Sequence, residues 1–179
     1  MIRLRILFLV IFGAALVPMV GIVLTLGVET VTVRLPREEN RLLEAARLKD
    51  GEYLSLSYRH SVELTRVEGR FKVGPGSELA AWQTRTASVG TGLPNAEPER
   101  TRFEDGWAII DEGMRPLGRL RFFFMPLNRT ELRLGPRPVD LAPLKAGSLL
   151  EIGVERPSLW TWLIWSLFQK PWPLKGETP

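Results

Sequence analysis

The longest hydrophobic run of the chain lies at its amino terminus, where no charged residue occurs between Ile6 and Val28. As a helix, this run extends roughly 34 Å at about 1.5 Å per residue. That length exceeds the hydrocarbon core of a bilayer, which is about 30 Å thick. Arg3 and Arg5 come just before the run and predict that the amino terminus stays in the cytoplasm. Residues 1–28 are therefore predicted to form a single transmembrane anchor.

A cleavable secretory signal is the alternative interpretation of the same segment. The small residues Thr25 and Gly27 are suitable neighbours for a cleavage site. The apolar run is longer than the roughly 7 to 15 residues of most signal cores, which favours the anchor. Both interpretations export the chain from residue 29 onward. We therefore expect the main domain outside the cytoplasmic membrane, in a periplasmic or extracellular location.

A period of two begins at Tyr53, after which apolar or aromatic side chains take most even positions up to Leu64 and polar side chains take the odd ones. This alternation predicts a β-strand with one buried face. Beyond Thr65 the apolar side chains move to odd positions. Because successive side chains of a strand point to opposite faces, this shift predicts a bulge or a turn near Thr65 and Arg66.

Short strand-like runs separated by glycine and proline turns make up the rest of residues 29–156, which predicts one all-β domain, an antiparallel β-sandwich or a barrel-like fold. The segment from Arg37 to Lys49 fits either a helix or a strand. The other predicted strands are Thr30 to Leu35, Glu78 to Val89, Trp107 to Ile110, Arg119 to Met125, Thr130 to Leu134 and Leu149 to Val154.

Residues 157–179 form a tail rich in tryptophan. Its apolar stretch from Ser158 to Phe168 reaches only about 16 Å as a helix, which is too short to cross a bilayer. Tryptophan favours the headgroup layer, so the stretch is predicted to be an interfacial helix or a docking face for a membrane protein. A helix that covers the open end of the sandwich is the alternative. The predicted membrane-contacting residues are Trp160, Trp162, Trp165 and Phe168.

Composition excludes several kinds of chemistry. The chain has no cysteine, which excludes disulfides, thiol catalysis and cysteine-based zinc sites. It has one histidine, so a metal site would need carboxylates for nearly every ligand, and we expect no metal and no cofactor. The formal net charge of +4 falls to about +2 when two arginines are assigned to the cytoplasm. A field this weak does not predict nucleic-acid binding.

His60 is the first candidate for a functional side chain. Alternation places it on the apolar face of its strand, beyond Tyr58. It is either a core histidine with satisfied ring nitrogens or a titrating group that lines a pocket with Tyr58 and the carboxylate of Glu63 or Glu68. Ser61 is its neighbour, but adjacent strand residues point to opposite faces, so His60 is not placed to deprotonate it.

Three segments together resemble a bacterial family named domain of unknown function 1850. They are the strand Leu56-Ser57-Tyr58-Arg59-His60-Ser61-Val62-Glu63, the following Val67-Glu68-Gly69-Arg70-Phe71, and the turn Gly90-Thr91-Gly92-Leu93-Pro94. The resemblance extends roughly from Leu42 to Val154, with Thr91 in place of the expected alanine. It marks as signature residues Tyr58, His60, Ser61, Glu63, Glu68, Gly90, Gly92 and Pro94.

The resemblance also implies a setting for the protein. Members of the family are small exported or membrane-anchored proteins, frequently encoded beside TRAP transporters whose solute receptor is of the TAXI type. It implies no reaction. Two functions follow as expectations: an accessory protein that contacts the bilayer and the permease or solute receptor of such a transporter, or a small-ligand-binding protein or enzyme with a pocket around His60.

Overall fold

A computed structural model of the chain describes residues 21, 25–61, 64–87 and 98–168. These residues form two compact units. One unit is Thr30–Glu155, and the other contains the described residues before Thr30 and after Glu155. Each unit is described separately.

The unit Thr30–Glu155 is built from antiparallel strands in two sheets, which confirms the predicted all-β class. The strands are β1 (Thr30–Leu35), β2 (Arg41–Ala46), β3 (Leu54–Arg59), β4 (Arg66–Val73), β5 (Leu79–Thr86), β6 (Thr101–Glu104), β7 (Trp107–Gly118), β8 (Leu120–Phe123), β9 (Glu131–Leu134), β10 (Arg137–Pro138) and β11 (Leu149–Glu155). The smaller sheet has the order β2-β1-β11-β8, and the larger sheet has the order β10-β9-β3-β4-β5-β7-β6.

The two sheets share one hydrophobic core. Alternation along each strand supplies it: β1 contributes Val31 and Val33, β11 contributes Leu150 and Ile152, and β3 contributes Leu54, together with further residues of the larger sheet. Leu54, Val31, Val33, Leu150 and Ile152 are fully buried. Burial of such side chains stabilises a fold by about 1.5–3 kcal/mol each, so this shared core is the main source of stability in a domain without disulfides.

The change of parity predicted near Thr65 and Arg66 is a hairpin turn between β3 and β4. Strand β3 ends at Arg59 and β4 begins at Arg66. Within the turn, the His60 N–H donates to the Thr65 carbonyl at 2.8 Å, and the Leu64 N–H donates to the His60 carbonyl at 2.9 Å. Leu64 adopts a left-handed backbone conformation with φ 56°. Of the two predicted solutions, a bulge or a turn, the chain therefore uses the turn.

Two other predictions of secondary structure change in detail. The ambiguous segment after β1 contains a turn and then strand β2, not a helix. Strand β7 continues to Gly118, well past the predicted end at Ile110. The sequence did not predict its second half because those residues alternate between exposed and half-buried and have no apolar face. Strand β6 was not predicted, for the same reason. It is the edge strand of its sheet, and Phe103 is 73% exposed on it.

A glycine in the second signature segment makes room for a core ring. Gly69 on β4 lies opposite Leu56 on β3. A Cβ atom at position 69 would lie only 2.8 Å from Cζ of Phe71, a buried residue of the core. The lack of a side chain at Gly69 therefore allows the Phe71 ring to lie against the backbone of its own strand.

The outer face of the smaller sheet carries a network of ion pairs. Glu151 on β11 is almost fully buried and accepts hydrogen bonds from Arg119 and from Nε of Arg121, the latter at 2.6 Å. Burial raises the pKa of Glu151, but the hydrogen bonds from the two arginines lower it by more, so its pKa lies below the ordinary value. Two hydrogen bonds from Arg34, at 2.7 and 2.8 Å, likewise lower the pKa of Glu155.

The second unit pairs residues 26–28 with residues 157–159. The Val28 N–H donates to the Pro157 carbonyl at 2.9 Å, and the Leu159 N–H donates to the Leu26 carbonyl at 2.8 Å. The helix α1 (Leu159–Phe168) follows. Ser158 caps it, because its Oγ accepts a hydrogen bond from the Thr161 N–H at 3.1 Å.

The described part of the chain contains no helix long and apolar enough to cross a bilayer. The predicted anchor falls almost entirely on residues 1–20 and 22–24, which lie outside the described residues.

Candidate functional site

The predicted site residues lie in different environments. Tyr58 is half-buried on β3, on the same side as the core residue Leu56. His60 is half-buried in the hairpin turn, one residue beyond the end of β3. The prediction that His60 continues the apolar face of a strand is therefore wrong, because the strand ends before it. Ser61 is exposed in the same turn.

Glu68 is the one described signature residue that lines a groove. It lies on β4 directly opposite Ser57. Since Tyr58 is the next residue along β3, the two signature side chains point to opposite faces of the sheet. Glu63, Gly90, Gly92 and Pro94 lie outside the described residues.

The groove is on the outer face of the larger sheet, over the three neighbouring strands β9, β3 and β4, and encloses about 440 Å³. We call it the outer groove. The odd positions of β3 form its floor with the small side chains of Ser55 and Ser57, because the even positions face the core. Longer side chains from β4 and β9 form its walls. The lining residues are Gly51, Glu52, Tyr53, Ser55, Ser57, Arg66, Glu68, Arg70, Glu131, Arg133 and Gly135.

Strand register sorts the charged walls into two rows. Ser57 lies between Glu68 on β4 and Glu131 on β9. Ser55, two residues earlier, lies between Arg70 and Arg133 on the same two strands. By backbone register, the outer groove thus has a carboxylate row centred on Ser57 and a guanidinium row centred on Ser55. The Arg66 side chain also reaches the carboxylate row.

Ion pairs connect charges of opposite sign within the outer groove. Arg70 Nε lies 2.6 Å from Oε1 of Glu68, and both side chains are largely covered. Arg66 Nη2 lies 3.0 Å from Oε2 of Glu131, and the same nitrogen donates to Oγ of Ser57 at 3.2 Å. The Arg66–Glu131 pair is well exposed to solvent, so water screens it and the pair can rearrange at low cost.

Aromatic rings fix the β4 wall. The Arg70 guanidinium lies 4.7 Å from the centre of the Tyr53 ring. The Tyr53 and Trp82 rings are 5.5 Å apart, and the Lys72 ammonium lies 3.5 Å from the centre of the Trp82 ring. Cation–π contacts of this kind hold long side chains in place. Arg70 is therefore oriented by both a ring and a carboxylate.

Arg133 on the β9 wall is held differently. It is exposed, and its Nη2 donates to the Pro136 carbonyl at 2.7 Å. Among the residues that the structure describes, no carboxylate lies within ion-pair distance of its guanidinium. Arg133 therefore keeps a full positive charge available at the guanidinium row.

The charged side chains of the outer groove can bind charged groups of a ligand. The Ser57 hydroxyl accepts a hydrogen bond from Arg66 and lies between the strand positions of Glu68 and Glu131. Nowhere in the described ranges do three or more carboxylate or histidine side chains cluster in a way that could hold a metal ion.

The sequence signal for the outer groove was weak. The polar odd positions of β3 were visible in the alternation, but nothing local pairs them with Glu131 and Arg133, which are more than 70 residues away along the chain. The non-local pairing of β9 with β3 builds the β9 wall.

The helix α1 exposes an apolar stripe. Trp160 is 59% exposed, Ile164 37% and Leu167 71%. These three residues are spaced four and three apart, so they share one face of the helix. Trp162 and Trp165 are half-buried, and the side chain of Phe168 lies outside the described part. We call Trp160, Ile164 and Leu167 the α1 stripe.

Comparison with known proteins identifies a family for the β domain. No curated protein and no solved structure matches the chain. The family model described as Domain of unknown function (DUF1850) matches residues 54–141, which include β3 to β9 and thus both walls of the outer groove. This chain therefore carries a β domain that belongs to the domain of unknown function 1850 family.

Proposed function

We propose that the protein is an accessory protein of the cytoplasmic membrane, with its amino terminus inside and its β domain outside, and that it works with a TRAP transporter whose solute receptor is of the TAXI type. The observation that carries the membrane part is the pairing of residues 26–28 with residues 157–159. This pairing puts the last residues of the predicted anchor beside the start of helix α1.

The α1 stripe supports contact with lipid. An exposed tryptophan and two exposed aliphatic side chains on one helix face are costly in water. In a bilayer interface the same side chains are buried to the depth of the headgroups, while the indole N–H stays near water. The helix is too short to span, so it would lie in the plane of the membrane beside a separate anchor.

The transporter part rests on the genomic setting of the family, which is an argument by association. The β domain offers apolar side chains for a partner, with Phe103, Phe123 and Leu127 all more than half exposed. Phe123 and Phe103 lie on the edge strands β8 and β6, where another chain can add a strand. The permease or the solute receptor would therefore dock on the edges of the sheets.

The lipid contact can be tested with a fragment of residues 25–179, which lacks most of the predicted anchor but keeps the pairing of residues 26–28 with residues 157–159. We expect this fragment to sediment with liposomes and the variant W160S/I164S/L167S to bind at least about 10-fold more weakly, because three apolar side chains no longer enter the interface. A matched control removes three exposed apolar side chains elsewhere, in F103S/F123S/L127S, and should bind as the unchanged fragment does. Equal binding by the α1 variant would show that the stripe does not contact lipid.

The transporter contact can be tested by purification of the tagged full chain in a mild detergent that keeps the permease intact. We expect the permease or the solute receptor to be recovered with it. In this experiment F103S/F123S/L127S is the test variant, and it should recover less of either partner if the sheet edges form the contact. If no transporter component is recovered with the unchanged protein, the partnership is wrong. A reporter at the carboxyl end that is active only in the cytoplasm would contradict the proposed topology as well.

A further inference from the structure

The outer groove is a second functional feature, independent of the membrane contact. We propose that it binds a small dipolar ligand, with a carboxylate at the guanidinium row and a cationic amine at the carboxylate row, and that a dipeptide with free termini has this chemistry. The proposal concerns residues of β3, β4 and β9 only, so it stands or falls separately from the role proposed for the α1 stripe.

The sign of the charges defines the class of ligand. The lining contains three arginines (Arg66, Arg70, Arg133) and three glutamates (Glu52, Glu68, Glu131), so its formal charge is zero. A purely anionic ligand would meet the carboxylates of Glu68 and Glu131, and a purely cationic ligand would meet the arginines. A ligand with both charges and no net charge is complementary to both rows at once.

The spacing of the rows defines the separation of the two charges. The rows are centred on Ser57 and Ser55, which are two residues apart on one strand. Two strand residues correspond to about 7 Å. A dipeptide has nearly the same length between its termini, because an extended chain spans at most about 3.3–3.6 Å per residue. A single amino acid is too short to reach both rows, and a tetrapeptide is too long.

The width of the outer groove suits a group held from both sides. Strands β4 and β9 flank β3, so their backbones are separated by about 10 Å, twice the usual distance between strands. Long side chains from both walls can reach a ligand over the small serine floor. Arginine can bind a carboxylate through two parallel N–H groups, and Arg133 has no competing carboxylate among the described residues.

The side chains of the two rows also differ in how tightly their present partners hold them. At the carboxylate row, Glu131 is 63% exposed and its pair with Arg66 is open to solvent. A ligand amine can therefore replace the Arg66 guanidinium at Glu131 without the loss of a buried ion pair. At the guanidinium row, Arg70 is held by the Tyr53 ring and Glu68, so that side of the site is preformed.

Calorimetric titration of the full chain in detergent micelles tests the proposal. The probes are alanyl-alanine, its N-acetyl derivative, which lacks the cation, and its carboxamide, which lacks the anion. We expect alanyl-alanine to bind. Each blocked derivative should bind at least about 10-fold more weakly, because each loses one charge-assisted hydrogen bond. Alanine and tetra-alanine should also bind more weakly.

Two exposed positions assign the ends of the ligand. In R133Q, the preference for alanyl-alanine over its carboxamide should shrink, while the preference over the N-acetyl derivative stays. In E131Q, the preference for alanyl-alanine over its N-acetyl derivative should shrink, while the preference over the carboxamide stays. R102Q removes another exposed strand arginine, one outside the outer groove, and should change neither preference. All three side chains are exposed, so these variants should fold.

Three results would overturn the proposal. The first is a lack of binding by alanyl-alanine. The second is equal binding of the free and blocked dipeptides, which would exclude recognition of a dipole. The third is identical behaviour of R133Q, E131Q and R102Q, which would place any binding site outside the outer groove.

Discussion

Replacement of Leu54 by alanine is expected to lower the free energy of unfolding by about 2–5 kcal/mol. Leu54 is fully buried at the start of β3 and lies between Phe71 on β4 and Leu134 on β9, both of which are core residues. Truncation leaves a cavity where three strands meet, and the neighbours can close it only in part. Urea unfolding of the full chain in a mild detergent, followed by tryptophan fluorescence, measures the change.

The same truncation at an exposed leucine is the control. Leu127 is 87% exposed, so Leu127→Ala should change stability by less than about 0.5 kcal/mol. A cost at Leu54 no larger than that at Leu127 would contradict the shared core. The Leu54 variant should also weaken any ligand binding by the outer groove, because Leu54 immediately precedes Ser55 on the strand that forms the floor.

Replacement of Glu151 by glutamine is expected to destabilise the protein by about 1–3 kcal/mol at pH 7. The carboxylate is only 6% exposed and is shared by Arg119 and Arg121, whereas the neutral amide loses the charge that both hydrogen bonds use. The two arginines are more than half exposed, so water solvates them in the variant and limits the cost. The urea midpoint at neutral pH gives the effect.

The pH dependence of this difference has a definite sign. The folded-state pKa of Glu151 is lowered, so the folded protein binds a proton at this site less readily than the unfolded chain. The stabilisation is therefore fully present above the unfolded pKa of about 4.5 and is lost as the pH falls below it. We expect the stabilities of the unchanged protein and Glu151→Gln to converge on acidification below about pH 5. Glu155 keeps its hydrogen bonds from Arg34 in both proteins, so its largest contribution is common to the two.

An exposed ion pair supplies the control for Glu151. Glu131 pairs with Arg66, and both side chains are more than half exposed. Glu131→Gln should therefore cost less than about 1 kcal/mol. A Glu151 effect as small as that of Glu131, or one that grows on acidification, would show that the buried network does not stabilise the fold.

The strands with one buried face were predictable from the sequence. In β3, alternation alone separates Leu54 and Leu56 from Ser55 and Ser57, because side chains of a strand point to opposite faces in turn. Strand β6 and the second half of β7 escaped prediction because neither has a continuous apolar face. His60 was misplaced because alternation does not tell where a strand ends, and the hairpin turn begins one residue after Arg59.

The candidate site was predictable only in part. Glu68 was singled out through a family signature, and it does line the outer groove. Its partner Arg70 and the opposite wall, Glu131 and Arg133, were not singled out. Charged residues on exposed strand positions are common, and their sequence positions alone give no reason to prefer one over another. Strand pairing gives that reason, because it places two glutamates on either side of one floor serine and two arginines on either side of the other.

By itself, the amino-acid sequence determined the β class of this domain, the apolar faces of its main strands and the family of its central part. These are local properties that follow from side-chain alternation and short motifs. Only the tertiary structure decided that β9 lies beside β3, that residues 26–28 pair with residues 157–159 next to helix α1, and that strand register sorts the charged positions of the outer groove into two rows. Each of these features joins segments far apart in the chain, and the pairing of distant strands depends on the packing of the whole core.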